Sequence, residues 1–245
     1  MNVLFLGTGG AGSPPGRAQS CILVESGGSR ILLDAGPGCA QRLSERGLSC
    51  CDLDYVFVSH AHLDHWAGLF DLAVDCAARG CRGPKLLGAG GVAGQLESIA
   101  GAVLPRPLRE AEVLSLKPGV PARLGDVELV PLPAEHAVES YAVEVAASGS
   151  RLLYTSDTRP CGMVERAASR ADLVAVEATL PTQLESVAAA SGHYTVQQAL
   201  ALRSALRKDA LLVLVHLTSQ SLEELTATRL PRGVIVAADH MSLGI

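Results

Sequence analysis

The sequence has few aromatic residues, few charged residues and no long apolar run. Aromatic side chains make up 3% and charged side chains 18% of its 245 residues, whereas hydrophobic ones make up 48%. This balance excludes an intrinsically disordered chain and predicts a sizeable packed core. No segment approaches the roughly 18 to 20 consecutive apolar residues that a transmembrane helix requires, so we expect no partnership with a membrane.

Signals for secretion and for a disulfide framework are also missing. The N-terminal segment lacks basic residues and Gly7 ends its short apolar run, so we expect a cytoplasmic protein. The seven cysteines are an odd number, are scattered and include no C-x-x-C pair, so we expect most of them to be reduced and partly buried. The net charge of −5 gives no general attraction to nucleic acid.

Short β-rich runs dominate the chain, and helical stretches lie between them. The predicted strands cover residues 3–6, 21–25, 30–34, 55–58, 127–130, 141–145, 152–154, 173–176, 211–215 and 234–236. The predicted helices cover residues 38–46, 66–78, 92–101, 195–206 and 222–228. This alternation indicates an α/β protein in which two sheets pack together with helices outside. Because no repeat, low-complexity tract or linker interrupts the pattern, we expect residues 1–245 to form one domain.

A glycine-rich segment at residues 7–12 matches G-x-G-x-x-G, the pattern of a dinucleotide-binding turn. That function requires a helix to begin at the glycines, so that its N-terminus meets the pyrophosphate. Here Pro14, Pro15 and Gly16 follow, which no helix interior tolerates. The segment therefore predicts no nicotinamide or flavin cofactor. It is either a flexible loop or, as we favour, a loop that lines an active site at a strand end.

The chemistry of the chain is concentrated in residues 60–65, directly after a buried strand. His60, His62, Asp64 and His65 fall within six residues, and such groups are costly to bury unless they bind something. Imidazole nitrogen and carboxylate oxygen are ligands of Zn²⁺ and Mn²⁺. In extended backbone, His60 and His62 point the same way and can hold one ion together. The alternative is a histidine-rich surface loop or a set of hydrogen-bonded core histidines.

The pattern His-x-His-x-Asp-His after a hydrophobic strand resembles the signature of the metallo-β-lactamase superfamily. The resemblance implies an αββα four-layer sandwich with two divalent metal ions, Zn²⁺ or Mn²⁺, at one edge of the sheets. It assigns further roles in chain order: Asp34 supports a ligand, His136 and His216 are ligands, and Asp157 bridges the two ions. The implied set of ligands is His60, His62, Asp64, His65, His136, Asp157 and His216. Taken singly, His136 could be a solvated loop residue, His216 a hydrogen-bonded strand end and Asp157 a turn residue.

Two further motifs resemble the ribonuclease Z branch of that superfamily. Glu177-Ala178-Thr179 is similar to the end of its His-Glu-Ala-Thr motif, with valine in place of the histidine. His193, followed by Tyr194 and Thr195, is similar to its His-Ser-Thr motif, with tyrosine in place of serine. The resemblance implies phosphodiester hydrolysis in which Glu177 orients His193 near the phosphate. Otherwise Glu177 is a surface charge and His193 flanks a helix that Thr195 caps.

The interval between His136 and the bridging aspartate, Asp157, departs from bacterial ribonuclease Z. In that group it holds a long tRNA-gripping arm, whereas Asp157 follows His136 here by only 21 residues. Small relatives without the arm include the cyclic phosphodiesterases of phosphonate breakdown. An acidic chain without an arm is a poor binder of tRNA, because phosphate contacts supply much of such affinity.

The hypothesis is therefore a dinuclear metal-dependent phosphodiesterase for a small or cyclic phosphodiester, with Asp64, His193 and Glu177 as catalytic residues. Alternatives are a tRNA 3′-processing endonuclease, a lactone or thioester hydrolase of the same fold, and a metal-stabilised binding module. Nucleic acid as a partner is not favoured, and a homodimer is left open. Arg17 either contacts a substrate phosphate or is solvated. His240 is predicted to face the pocket without binding metal, against the alternative of a packed C-terminal histidine.

Overall fold

A computed structural model describes all residues, 1–245, as fourteen strands and eight α-helices. The strands are β1 (Asn2–Gly7), β2 (Cys21–Ser26), β3 (Ser29–Leu33), β4 (Tyr55–Phe57), β5 (Lys85–Ala89), β6 (Val113–Leu116), β7 (Ala122–Leu124), β8 (Val127–Pro133), β9 (Tyr141–Ala147), β10 (Ser150–Tyr154), β11 (Leu173–Glu177), β12 (Leu211–Val215), β13 (Val234–Val236) and β14 (Met241–Gly244). The helices are α1 (Cys39–Glu45), α2 (Leu63–Trp66), α3 (Leu69–Arg79), α4 (Gly91–Val103), α5 (Gly162–Ala168), α6 (Glu185–Ser191), α7 (Val196–Ala201) and α8 (Ser219–Ala227).

The strands form two seven-stranded sheets with the same plan. The first has the order β14-β1-β2-β3-β4-β5-β6 and the second β13-β12-β11-β10-β9-β8-β7. Strands β3 to β6 of the first sheet and β10 to β13 of the second are parallel, and the other neighbouring pairs are antiparallel. Strand β14, from the C-terminus, crosses back to pair with β1. The predicted αββα sandwich is confirmed.

Alternation along the central strands creates two separate cores. Leu152 of β10 lies in the larger core, which includes the space between the sheets, whereas the next residue, Leu153, lies in a second core with Val164 of α5. Successive side chains of a strand point to opposite faces, so both faces of β10 are covered. Fully burying a leucine contributes roughly 1.5–3 kcal/mol relative to leaving it exposed. Apolar burial on both faces therefore stabilises the strands that carry the functional residues.

The carboxyl ends of the parallel strands meet at one edge of the sandwich and carry three strained residues. Asp34 follows β3, Ser156 lies just after β10 and His216 follows β12, and their φ angles are 59°, 52° and 55°. Residues other than glycine rarely adopt this left-handed conformation, and when they do they cluster at functional sites. The edge where these strands end is therefore where the chain tolerates local strain.

The ten predicted strands are all present, but β5, β6, β7 and β14 were not predicted, nor were α5 and α6. The predicted helix at residues 66–78 is wrong as a single element, because the structure divides it into α2 and α3 around Gly68. There the Gly68 amide donates to the carbonyl of Ala35, and a side chain at this position would meet the Gly36 carbonyl oxygen at 2.2 Å. This close approach binds the helix to the loop after β3. No helix of the structure has the length and apolarity needed to cross a membrane.

The expectation that most cysteines are reduced is wrong for this structure. Six of the seven pair as Cys21–Cys39, Cys50–Cys76 and Cys51–Cys81, and only Cys161 is free. The paired residues are 18 to 30 positions apart in sequence, and the fold brings their Cα atoms to within 5.7–6.0 Å. Such separations follow from tertiary structure and leave no signal in cysteine spacing.

Candidate metal centre

The histidine-rich segment lies between β4 and α2, at the edge where the parallel strands end. Residues 58–62 form no strand and bend at His60 and Ala61, and His62 stands at the N-cap of α2 with φ −73° and ψ 141°. Asp64 and His65 then occupy the first turn of that helix, and the His65 amide donates to the His62 carbonyl. The change from strand to helix within six residues turns His60 and His62 toward one point and Asp64 and His65 toward another.

The first group of donor atoms combines three histidines with a carboxylate. One side-chain donor from each of four residues lies within 4.8 Å of the others; the four are His60, His62, His136 and Asp157. His136 Nε2 is 3.2 Å from His62 Nδ1, and His60 Nε2 is 3.7 Å from Asp157 Oδ2. Two residues come from the segment after β4, and the others come from loops that follow β8 and β10 in the second sheet. The group therefore joins the two sheets.

The second group lies beside the first and shares Asp157 with it. Its members, Asp64, His65, Asp157 and His216, also place their donor atoms within 4.8 Å of one another. His65 Nε2 is 3.3 Å from His216 Nε2 and 3.3 Å from Asp157 Oδ2, while Asp157 Oδ1 is 3.4 Å from His216 Nε2. The Asp157 carboxylate thus faces both groups. All seven residues predicted as metal ligands meet in this one place.

Two buried atoms test whether this donor set fits metal ions. His60 Nε2 and Asp157 Oδ1 are buried and have no hydrogen-bond partner. Leaving a buried polar atom unpaired costs roughly 1–3 kcal/mol, so a native protein rarely keeps two of them together without a ligand. Burial, followed by the neighbouring His65, lowers the pKa of His60 well below its usual value. The imidazole is therefore neutral, which is the form that binds Zn²⁺ or Mn²⁺, and the residues fit divalent metal binding.

Asp34 holds His65 from behind. His65 Nδ1 lies 2.7 Å from Asp34 Oδ2, which also accepts from the Tyr154 hydroxyl at 2.7 Å and the Ser59 hydroxyl at 2.9 Å. The Ser59 amide donates to the other Asp34 oxygen at 2.8 Å. With Nδ1 engaged in this way, Nε2 of His65 is directed at the cluster, as is usual where a carboxylate supports a ligating histidine. This is the supporting role that the sequence resemblance implied for Asp34.

A main-chain carbonyl holds the outer nitrogen of His136. Its Nδ1 lies 2.9 Å from the carbonyl oxygen of Gly192. Gly192 has φ 76°, and a side chain there would come to 2.7 Å from the His136 Cα. Only glycine fits both the left-handed backbone and the close contact. Gly192 is therefore needed for the position of His136, a role that the sequence alone does not reveal.

His193 and Glu177 form a pair beside the second donor group. His193 Nδ1 lies 3.0 and 3.1 Å from the two carboxylate oxygens of Glu177, and the Thr158 amide donates to the same carboxylate at 2.8 Å. Burial alone would lower the pKa of His193, but the Glu177 carboxylate outweighs it and raises that pKa to about 9. The ring stacks on His216, with 5.8 Å between centroids. A protonated imidazole is therefore available next to the proposed metal ligands.

Thr179 connects this pair to the donor groups. Its hydroxyl lies 2.8 Å from His216 Nδ1 and donates to Glu177 Oε2. One buried carboxylate therefore orients His193 directly and His216 through a hydroxyl. Thr179 belongs to the motif that begins at Glu177, but its residue type alone predicts no role, and the only signal in the sequence is its place two residues after Glu177.

The glycine-rich loop lies against the cluster, whereas Arg17 and His240 do not point into it. A side chain at Gly10 would meet the His216 ring at 2.7 Å, and no helix begins at these glycines. The Arg17 guanidinium donates to the Thr8 hydroxyl and the Ala237 carbonyl, so it holds the loop in place. The prediction that His240 faces the pocket is wrong, because its ring bonds the Glu45 carboxylate of α1 at 2.9 Å.

A small cavity opens next to His136. Its volume is about 270 Å³, and Arg159, His136 and Gly192 are among its lining residues. Arg159 is half-exposed and pairs with Glu135 at 2.8 Å. The volume lies near the lower limit of ligand pockets, roughly 300–1,000 Å³. Of the donor residues only His136 lines this cavity, so the cavity adjoins the donor groups and places one guanidinium near them.

Comparison with known proteins places the chain among metal-dependent hydrolases. A sequence model described as the beta-lactamase superfamily domain matches residues 29–217. A ribonuclease Z of Pyrobaculum arsenaticum is 31% identical over 90% of this chain and 88% of that protein. A ribonuclease Z of Methanopyrus kandleri is 34% identical, but the alignment covers 57% of this chain and 49% of that protein.

Solved structures share the whole architecture. The metallo-beta-lactamase fold protein YhfI of Bacillus subtilis has a TM-score of 0.84 and 20% identity, with 99% of each chain covered. A diphosphatase of the PhnP family has a TM-score of 0.78 and 18% identity, covering 99% of this chain and 96% of the other. At such identities the likeness describes the fold.

Proposed function

The chain belongs to the metallo-β-lactamase superfamily, in its ribonuclease Z-like branch, and on that premise we propose that it is a metal-dependent phosphodiesterase for a small or cyclic phosphodiester. The observation that carries the choice of a small substrate is the short path from His136 to Asp157. Strands β9 and β10 fill that interval and pair as a hairpin closed by Ser148 and Gly149. No segment remains there that could extend from the sandwich and grip a folded RNA.

The proposal assigns two divalent ions, zinc or manganese, to the two donor groups. His60, His62 and His136 would hold one ion, while Asp64, His65 and His216 would hold the other, and the Asp157 carboxylate faces both. When bound, such ions lower the pKa of a water molecule and neutralise charge that develops on a phosphoryl group. The protein's contribution is to fix the donor atoms in advance. Asp64 takes part as a ligand at the rim of the second group, where it is 8% exposed.

His193 is proposed as the group that delivers a proton to the leaving oxygen or stabilises charge on the phosphate. The Glu177 carboxylate holds its Nδ1 and keeps the ring protonated at neutral pH. General acid catalysis of this kind contributes roughly 10²- to 10⁴-fold to rate. Because the His193 side chain is 15% exposed, the ring remains accessible to a ligand. The pair therefore supports chemistry on a phosphodiester.

Size and charge support a small substrate. The cavity beside His136 holds about 270 Å³, and only Arg159 among its lining residues carries a positive charge. The alignment with the Pyrobaculum arsenaticum relative covers 253 positions, but only 90% of this chain's 245 residues take part in it. About 30 positions of the relative therefore have no counterpart in this shorter chain. A net charge of −5 adds no general attraction for RNA.

A second candidate is tRNA 3′-end processing. It is favoured by the name ribonuclease Z that the Pyrobaculum arsenaticum and Methanopyrus kandleri relatives carry, and by the Glu177–His193 pair, which suits any phosphodiester. Both candidates use the same donor groups and the same proton donor. They differ only in how the rest of the substrate is held.

The proposal includes a single domain and leaves a homodimer open. Strand β14 pairs with β1 and the donor residues come from both sheets, which supports a single domain for residues 1–245. Phe70 and Val74, one turn apart on α3, expose 48% and 47% of their surface and offer an apolar face to a second copy. Sedimentation of the purified chain distinguishes a homodimer from a monomer.

The decisive experiment is a hydrolysis panel with Mn²⁺ or Zn²⁺ added. It contains bis(p-nitrophenyl) phosphate, a nucleoside cyclic phosphate, a phosphomonoester, a thioester, a lactone and a precursor tRNA. We expect the two small phosphodiesters to be hydrolysed far better than the monoester, with weak processing of the tRNA. Efficient, salt-sensitive cleavage at the tRNA 3′ end would instead establish the second candidate. Turnover of thioester or lactone without phosphodiester hydrolysis would refute both.

A further inference from the structure

Four of the six paired cysteines lie in one cluster, away from the candidate metal centre. Cys50 and Cys51 belong to a 3₁₀ turn, Cys50–Asp52, that precedes β4, while Cys76 lies in the last turn of α3 and Cys81 follows that helix. The Cys50 sulfur is 3.7 Å from the Cys81 sulfur and 4.0 Å from the Cys51 sulfur. The two disulfides, Cys50–Cys76 and Cys51–Cys81, are thus in contact with each other.

This spacing matches a thiolate metal site. A zinc ion binds four sulfurs at about 2.3 Å in tetrahedral geometry, which places the sulfurs about 3.8 Å from one another. The sulfurs of Cys50, Cys51 and Cys81 all lie within 4.8 Å of one another, and the Cys76 sulfur is bonded to that of Cys50. All four sulfurs therefore already lie in one place, as a tetrahedral thiolate site requires.

The surroundings are those of a built site. Cys50 and Cys76 are fully buried, while Cys51 is exposed, so solvent reaches the cluster from one side. The Cys50 amide donates to the Asp75 carboxylate at 3.1 Å. Gly83, with φ 74°, wraps over the cluster so closely that a side chain there would meet the Cys76 sulfur at 2.9 Å.

We propose that, in the reduced protein, Cys50, Cys51, Cys76 and Cys81 bind one soft divalent cation of the zinc class. The two disulfides are then the oxidised form of the same site. A dithiol reductant supplies two electrons and two protons to each disulfide and itself becomes a disulfide. The four thiols formed release their protons to solvent as the cation binds their thiolates. The cation then links the turn before β4 to the end of α3.

The site is structural and separate from the metal centre. Helix α3 has 11 residues and rises about 16 Å between the histidine segment and the cysteine cluster. A cation at its far end would fix the helix without touching a substrate. Loss of the cation should therefore lower the thermal stability of the reduced protein. The reaction catalysed at the candidate metal centre should stay the same.

The test measures metal content and thiol reactivity of the full chain, reduced with a dithiol under argon and loaded with Zn²⁺. We expect Cys51→Ser/Cys81→Ser to hold one zinc ion fewer per chain than wild type, whereas Cys161→Ser, which alters the free cysteine outside the cluster, should match wild type. Equal zinc content in the wild type and the double variant would overturn the proposal.

A second measurement uses wild type alone, so that it does not depend on the folding of a variant. Cobalt added to the reduced chain should give sulfur-to-cobalt charge-transfer absorption, and zinc should slow alkylation of four thiols. If the four thiols react equally fast with and without zinc, or if both disulfides persist in the dithiol, the cysteines are only a pair of fastening disulfides.

Discussion

Glu177 binds His193 through both carboxylate oxygens, at 3.0 and 3.1 Å from the same ring nitrogen. The carboxylate is 1% exposed and is also held by the Thr158 amide and the Thr179 hydroxyl. A buried anion with this many donors is fixed in position, and it fixes the ring that it contacts. This fixed orientation supports the proposed role of His193 as a proton donor beside the donor groups.

Replacing His193 with alanine should remove turnover without removing metal. We expect kcat for a phosphodiester with a poor leaving group to fall roughly 10²- to 10⁴-fold, as for loss of a general acid. Metal content should stay at the wild-type level, because His193 is not among the seven proposed ligands. His240→Ala is the matched control, since that imidazole bonds Glu45 and should leave kcat unchanged. Wild-type turnover in His193→Ala would remove His193 from the mechanism.

Replacing Glu177 with glutamine should change the pH dependence of the reaction. The Glu177 carboxylate raises the pKa of His193 to about 9 against the effect of burial, so the ring is protonated below that pH and loses its proton above it. If the protonated ring is required, wild-type kcat falls as pH rises through the alkaline range. Glutamine removes the negative charge, so the fall should begin at a lower pH. A pH profile of kcat that is identical in the two proteins would contradict this role.

Much of the fold and of the donor set could be predicted from sequence, because these features are local. The features that were missed depend on contacts between residues far apart in the chain. Strand β4 and the histidines after it are local features, so apolar runs and residue types sufficed. Strands β6 and β14 are short and partly exposed, and their pairing depends on partners far away in sequence. The break at Gly68 depends on a contact with the Gly36 carbonyl, which no helical pattern encodes.

The errors at single residues have the same origin. From their places in the sequence, His240 was assigned to the pocket and Arg17 was left between a substrate contact and solvent. Their direction is set instead by the partners they meet, Glu45 and the Ala237 carbonyl. The roles of Thr179 and Gly192 depend on contacts with His216 and His136 across the fold. Residue type identifies what can bind, whereas tertiary contacts decide which way it points.

Substituting alanine for Gly192 should weaken the protein at the metal centre. The backbone there has φ 76°, and the new methyl group would lie 2.7 Å from the His136 Cα. We expect a loss of more than about 1 kcal/mol in the free energy of unfolding, because alanine is strained at positive φ, and a weaker metal affinity through His136. Gly149→Ala is the control, since φ is 83° there and nothing lies within 4 Å. It should lose stability but keep metal affinity; equal effects of the two variants on metal would contradict the argument.

Arg159 should affect substrate binding more than turnover. Its guanidinium lies at the rim of the cavity beside His136, where it pairs with Glu135. Since exposed charge pairs contribute only about 0–1 kcal/mol, Arg159→Ala should raise KM for a small phosphodiester by several-fold at most, with kcat nearly constant. Arg166→Ala, on the exposed face of α5, should leave both constants unchanged. A large fall in kcat for Arg159→Ala would place the guanidinium closer to the reacting phosphate than the cavity indicates.

Asp157 and Asp64 should differ in how many metal ions they control. The Asp157 carboxylate belongs to both donor groups, with Oδ2 3.7 Å from His60 Nε2 and Oδ1 3.4 Å from His216 Nε2. Asp64 belongs only to the second. Wild type loaded to saturation should therefore hold two ions, Asp64→Ala should retain one tight ion, and Asp157→Ala should bind both weakly and lose activity. Metal analysis after equilibrium dialysis distinguishes these cases. Saturation of wild type at one ion would refute the dinuclear centre, and a full complement in Asp157→Ala would show that its carboxylate is not shared.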